Sequence, residues 1–382
     1  MLAGPSNSSG QPDPALEARS VLPPLSLRLR HTLNSCSEFG KLRSVIVGSP
    51  QGANHPEVDI SFANFFTPPV EQGVRKAAAG PIPARIINEI TEDIEAFVDV
   101  LTAAGVEVLR PDTYDSTTPI KSPDWETSQL YSLMPRDCLF VHGHLYLEVP
   151  SATRARFFEP LPFRAIADAY ERHPERGAIL ISAPKPRLLD TSFDLNTPSF
   201  LPNTEILFDG ANCVRLGKDI FIDINNSANM RGRNWLQHLF NEFGWGVRVH
   251  PMHLGQDHAD VTLVPLRPGV ILVNPYRVND SNLPDQFKGW TRVGTSQLAD
   301  QSHGLSYPMA SKGIGRNVFM LDENTAIVEK NQISLIKELE ALSFQVIPLQ
   351  YRHGRTLGGS WHCVTLDTNR EGGLENYFSS QA

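Results

Sequence analysis

Cysteine is scarce in this chain, with four in 382 residues and none in a Cys-x-x-Cys pair. Cys36, Cys138, Cys213 and Cys363 are too few and too scattered for a disulfide framework or a paired-cysteine zinc site. Long apolar runs are missing as well. No stretch approaches the roughly eighteen consecutive apolar residues of a membrane span, and no basic stretch followed by an apolar one opens the chain as a secretory signal would. Asp13 and Glu17 near the start argue against a transit peptide, so a cytoplasmic protein is expected. Clustered positive charge is equally absent. The 34 Lys and Arg are dispersed among 42 Asp and Glu, for a net charge of −8, and nothing offers nucleic acid an electrostatic footprint.

What is present is a repeat. The opening segment, rich in Ser, Pro, Gly and Asn, reads as a flexible leader over residues 1–38, and one folded domain is expected over 39–382. Its first strand candidate is Leu42 to Val47, closed by Gly48 and Pro50. Apolar residues at Ile86, Ile87, Ile90, Ile94, Phe97, Val98 and Leu101 keep a helical period, Gly105 stops it, and a short strand then ends at Pro111. The same helix, turn, strand and proline recur from Trp235 to Pro251 and from Ile333 to Pro348. Between these units lie hairpin patterns at 138–147, 213–222, 262–273 and 318–328. A strand-strand-helix-strand module recurring every roughly 50 to 75 residues favours radial repetition over one doubly wound sheet. The expected fold is an α/β propeller, in which groups distant in sequence meet at the centre.

Among the thiols, Cys363 alone has a catalytic setting. It follows Gly358-Gly359, which admit unusual backbone or close approach, whereas Cys138 and Cys213 lie in apolar hairpin strands and suit packing. A nucleophilic cysteine needs a partner that manages protons. His258, in Asp257-His258-Ala259-Asp260, stands between two carboxylates just before a hairpin. A metal site at His250, His253, Asp257, His258 and Asp260 is the competing reading, but it lacks the helical HExxH spacing and the cysteine pairs of zinc sites. Asp137 and Asp209 also precede hairpin strands, as turn residues or caps often do. Converging carboxylates would alternatively suit a guanidinium, whose planar fork of donors they pair with bidentately.

These segments resemble the arginine-dependent amidinotransferases. The matching stretches are residues 120–127, Pro135-Arg136-Asp137, 183–187, Phe208-Asp209-Gly210-Ala211-Asn212, 258–262, Asn274-Pro275 with Arg277, and Leu357-Gly358-Gly359 through His362-Cys363. They run in the family's order from about residue 40 onward. The resemblance implies a five-module α/β propeller of ββαβ repeats, a single catalytic domain, no cofactor and no metal. It implies Cys363 as nucleophile, His258 as acid and base, and Asp209 as third catalytic residue. Asp137, Asp260, Arg277, Tyr131 and Ser311 match substrate contacts. The expected partners are an L-arginine donor and a small amine acceptor, such as lysine or an aminocyclitol, with a homodimer left open.

Three departures from the family pattern concern the pocket. Ser360 and Trp361 replace a Gly-Phe, and Ala310 and Asp257 stand where the glycine branch of the family has a serine and an apolar Met. If Asp257 faces the pocket it favours a cationic or hydroxyl-rich acceptor; solvent is the other orientation. The longest match is to the inosamine-phosphate branch and implies a bacterial secondary-metabolite enzyme. An arginine-deiminase-like hydrolase and a catalytically silent scaffold are the alternative functions.

Overall fold

The computed structural model describes residues 27–65, 79–194, 201–255, 258–301 and 309–378. Within them, five three-stranded and two two-stranded sheets are joined by short helices in a mixed α/β arrangement. Each three-stranded sheet pairs two strands antiparallel and adds a third parallel to the middle one.

In the second sheet the hairpin Leu139–His142 and Leu145–Glu148 is followed by the helix Arg164–Glu171 and the parallel strand Ile179–Ser182. The third has Cys213–Leu216, Asp219–Asp223, the helix Met230–Phe243 and Arg248–Met252. The fourth has Leu263–Arg267, Val270–Val273 and Thr291–Val293, and the fifth Phe319–Asp322, Thr325–Glu329, the helix Ile333–Ala341 and Gln345–Leu349. The first sheet joins the two ends of the fold. Leu42–Val47 lies between Glu107–Leu109, delivered by the helix Ala84–Ala103, and the last strand, Thr365–Arg370.

Local chemistry accounts for these elements. The helix Met230–Phe243 starts where Asn229 accepts a hydrogen bond from the Gly232 amide at 2.8 Å, and ends at Gly244 with φ of 66°. Its apolar face buries Leu236 and Phe240 against the third sheet, as the period predicts. In the fourth module the crossover carries only the short turn Asp285–Phe287. Its sequence, Asn279-Asp280-Ser281-Asn282 with Pro275 and Pro284, supplies turn formers instead of an apolar helical stripe.

Residues 27–38, within the stretch that composition assigns to the leader, pack on the domain. Leu33, Ser35, Cys36, Ser37 and Glu38 are buried, and Asn34 binds the backbone of Thr368 and Arg370. Glu38 enters a buried ionic network. Arg215 donates to both its carboxylate oxygens at 2.8 and 2.9 Å, and Asp367 accepts from Arg215, Arg136 and Arg370. Burial works to raise the Glu38 and Asp367 carboxyls, but the guanidinium charges outweigh it and hold both well below the usual carboxylate range. The unfolded chain therefore takes up these protons first, and the network's stabilisation is complete above about pH 4 and lost as pH falls below it. Urea unfolding between pH 7 and pH 3 is expected to show stability dropping over that acid range; a rise there would contradict the network's role.

No helix among the described residues is long and apolar enough to cross a membrane.

Candidate active site

The repeat places a candidate side chain two to four residues before one strand of every three-stranded sheet. Asp137 precedes the strand at Leu139, Asp209 the strand at Cys213, Asp260 that at Leu263, Asn317 that at Phe319, and Cys363 that at Thr365. Short helical turns at 135–138, 210–212, 259–261 and 312–316 lie at four of these strand starts. Residues more than two hundred positions apart in sequence thereby share one buried site.

His258 lies between two of these carboxylates. Its Nε2 is 3.1 Å from Asp209 Oδ2 and its Nδ1 3.6 Å from Asp137 Oδ1, while its ring packs on Phe65 with 5.2 Å between centroids. Burial alone would keep the imidazole neutral. The Asp137 charge, the hydrogen bond to Asp209 and the further charge of Asp260 reverse that and push its pKa up to about 9. At neutral pH it is a cation able to give a proton.

Cys363 is 2% exposed, and its Sγ donates to Asp260 Oδ2 at 3.2 Å. Burial, then the Asp260 and Asp137 charges, hold this thiol well above its ordinary value. The resting sulfur is therefore protonated. Asp260 Oδ2 also accepts from Asn317 Nδ2 at 3.0 Å and from His362 Nδ1 at 2.9 Å. The other face of His362 meets Glu38, whose Oε2 is 3.3 Å from Nε2. Arg136 Nε holds the carbonyl of His362 at 2.9 Å, so the ionic network reaches the residue next to the thiol.

Three carboxylate oxygens at this site, Asp137 Oδ1, Asp209 Oδ1 and Asp260 Oδ1, are buried and have no hydrogen-bond partner. Leaving such atoms unmatched is costly unless a ligand answers them. Asp137 Oδ2 is already held by Arg156 at 2.6 Å, with Glu159 3.7 Å behind that guanidinium. Burial, outweighing Arg156, raises the Asp137 carboxyl, and burial likewise pushes Glu159 up to about 8.

The structure thus gathers Cys363, His258, Asp209, Asp137 and Asp260. Tyr131 is buried beside them, with its hydroxyl donating to the Leu357 carbonyl at 2.7 Å and its ring 5.9 Å from the Arg156 guanidinium. Arg277 is half-buried and packs on Gly255, on the segment leading to His258. Ser311 is exposed and caps the turn Lys312–Arg316 by accepting from Gly313 at 3.1 Å. Asp257 lies outside the described residues. The metal reading does not gather its members: His250 pairs with Asp219 at 2.6 Å and stacks on Phe221, away from His258. Among the described residues no cluster of three His, Cys, Asp or Glu is arranged to hold a metal ion.

Of the two glycines before the nucleophile, Gly358 ends a helical turn with φ of 83° and Gly359 serves close packing. A Cβ on Gly359 would sit 2.4 Å from Met134 Sδ and 2.8 Å from Cys363 Cβ. Gly359→Ala is expected to lower stability by about 1–3 kcal/mol, measured by urea unfolding, because the buried Met134 side chain and Cys363 must shift to make room. Sequence reasoning missed Asn317, His362, Arg156 and Glu38. The repeat frame itself would have found Asn317, two residues before its strand as Asp137 and Cys363 are before theirs.

No family model matches the chain. Individual proteins do. Inosamine-phosphate amidinotransferase 1 of Streptomyces glaucescens is 38% identical over 345 residues, spanning 89% of this chain and 97% of that protein. The L-arginine:L-lysine amidinotransferase of Pseudomonas savastanoi pv. phaseolicola is 34% identical over 358 residues, or 90% of this chain and 96% of the other. The solved inosamine-phosphate amidinotransferase of Streptomyces griseus superposes with a TM-score of 0.86 at 38% identity, over 91% of this chain and 100% of that one. Relatedness over nearly the whole length bears out the resemblance carried by the motifs, and this chain belongs to the amidinotransferase family.

Proposed function

We propose that the protein transfers the amidino group of L-arginine, through a covalent amidino-cysteine on Cys363, to a small amine acceptor and releases L-ornithine. The observation that carries this is the set of three buried, unmatched carboxylate oxygens around a protonated thiol and a cationic histidine. A guanidinium supplies planar N–H donors, which those oxygens lack, together with a positive charge to offset the carboxylates.

Each step uses a group in place. Arginine binding neutralises part of the Asp137 and Asp260 charge that holds the thiol up, so the thiol releases its proton to solvent as the donor arrives. Sγ then bonds to the guanidinium carbon. The adjacent bond from that carbon to the ornithine nitrogen breaks as His258 gives that nitrogen its proton, leaving a cationic amidino-thioether and neutral histidine. The acceptor enters as an ammonium and loses a proton to His258. Its free amine attacks the same carbon, the sulfur leaves, and the attacking nitrogen gives up its second proton to restore the Cys363 thiol. Asp209 holds His258 in register at both stages, and Arg277 is assigned to the carboxylate of the donor.

The same pseudosymmetry supports an α/β propeller with the five three-stranded sheets as its modules. It explains why the starts of strands in different sheets supply the site. Relatedness to the inosamine-phosphate and lysine enzymes supports an aminocyclitol or a diamino acid as acceptor. A deiminase would break the bond to a terminal nitrogen and yield citrulline. The two are separated by isotope exchange: a transferase with a covalent intermediate moves label from ornithine into arginine with no acceptor present. Exchange that depends on Cys363 is the expected result, and citrulline without exchange would replace the transferase with a hydrolase.

A further inference from the structure

Two residues before the first strand of the fifth sheet, where the second sheet has Asp137 and the first sheet has Cys363, stands an amide, Asn317, which is 2% exposed. That amide is fully engaged. Its Oδ1 lies within hydrogen-bond distance of three amides of the nucleophile loop, at 3.2 Å from Ser360, 3.0 Å from His362 and 2.9 Å from Cys363. Its Nδ2 donates to Asp260 twice, at 3.0 Å to Oδ2 and 3.3 Å to the backbone carbonyl. Among the described residues, Asn317 alone joins the nucleophile loop's amides to the carboxylate that accepts the thiol's hydrogen bond.

We infer that Asn317 is the positioning residue of the first half-reaction: it fixes Asp260 Oδ2 on the Cys363 thiol and keeps Oδ1 open for the donor guanidinium, without adding charge. Neutrality is essential to that role. An aspartate here would accept from the loop amides equally well, but it could not donate to Asp260. It would also set a fourth carboxylate beside the thiol. The arginine cation then neutralises a smaller share of the negative field, and the thiolate forms less readily.

The inference rests on the transferase reading for its meaning, but its test does not need turnover. Alkylation of Cys363 by iodoacetamide, followed from pH 6 to pH 10 by peptide mapping, reads the thiol directly. In the near-isosteric Asn317→Asp variant the alkylation midpoint is expected to move to higher pH, slowing the reaction at pH 8 by about tenfold. The deficit should shrink toward acid pH, where a protonated carboxyl can donate to Asp260 as the amide does. The other groups around the thiol are common to both proteins, namely Asp137, Asp260, His258, His362, Tyr131 and Tyr351. Asn317→Ala adds no charge and is expected to raise the KM for arginine and lower the rate of Cys363 amidination by about tenfold or more, through the freed Asp260 and loop.

A merely structural asparagine would lower the unfolding temperature of both variants yet leave the alkylation midpoint and the KM of the folded protein unchanged; that outcome overturns the inference. If the wild-type protein forms no adduct with arginine, the transferase reading fails, while the alkylation midpoints still decide the role of Asn317.

Discussion

Cys363→Ser lowers amidino transfer by at least about ten-thousandfold, the scale of loss when a covalent catalyst loses its nucleophile. Serine keeps nearly the same volume and can still donate to Asp260, so folding and arginine binding survive. What it cannot do is form a stable anion in this field. The same carboxylates that raise a thiol raise an alcohol, which starts several units higher, and the incoming guanidinium lacks the charge to bring it into range. Ornithine release from arginine, measured with and without acceptor, is the readout. Cys36→Ala, a change in a packed thiol of the N-terminal segment, is the matched control and should keep activity within a few-fold. Retention of transfer in Cys363→Ser would remove the covalent intermediate.

Asp260→Asn moves two rates in opposite directions. The carboxylate of Asp260 accepts from the Cys363 thiol and, after burial, is the largest charge holding that thiol up. An amide removes the charge, the thiol titrates at lower pH, and alkylation by neutral iodoacetamide at pH 8 is faster than in the wild type. Transfer from arginine falls all the same, by about a hundredfold or more, because the guanidinium loses a charge-assisted partner and the amide's own donors face it. A substitution that only disturbed the fold would also bare the buried thiol, so the unfolding temperature is measured alongside and is expected to stay close to that of the wild type. Two falling rates in the folded variant would contradict the assignment of Asp260 as both thiol acceptor and donor contact.

How much of this was legible in the sequence depends on what each residue advertises. The hairpins at 213–223 and 263–273 and the helices at 84–103 and 230–243 carry strong apolar periods and glycine stops, and they occur within a few residues of where those patterns put them. Other elements are hidden for stated reasons. The last strand, Thr365–Arg370, reads Thr-Leu-Asp-Thr-Asn-Arg and looks like a loop, yet Asp367, Thr368 and Arg370 are buried because their partners, Arg215, Tyr170 and Arg136 among them, come from distant segments. Thr291–Val293 has only three residues, too short for any period to appear.

The site divides the same way. Cys363, His258 and the aspartates are chemically conspicuous beside glycines and hairpin starts. Asn317 and Glu38 are ordinary polar residues whose roles exist only once the sheets bring the loop 360–363 against them. Glu38 was assigned to the leader by a compositional boundary that could not register its pairing with Arg215, 177 residues away. Pairing across such separations leaves no local trace.

The most direct measurement is incubation of the purified protein with arginine alone, followed by intact mass, peptide mapping and quantitation of ornithine and citrulline. One amidino group on Cys363, matched by one equivalent of ornithine, is the predicted result and would be discharged by the right amine. Citrulline with ammonia, or an unmodified Cys363 with no ornithine, would contradict transfer through this cysteine.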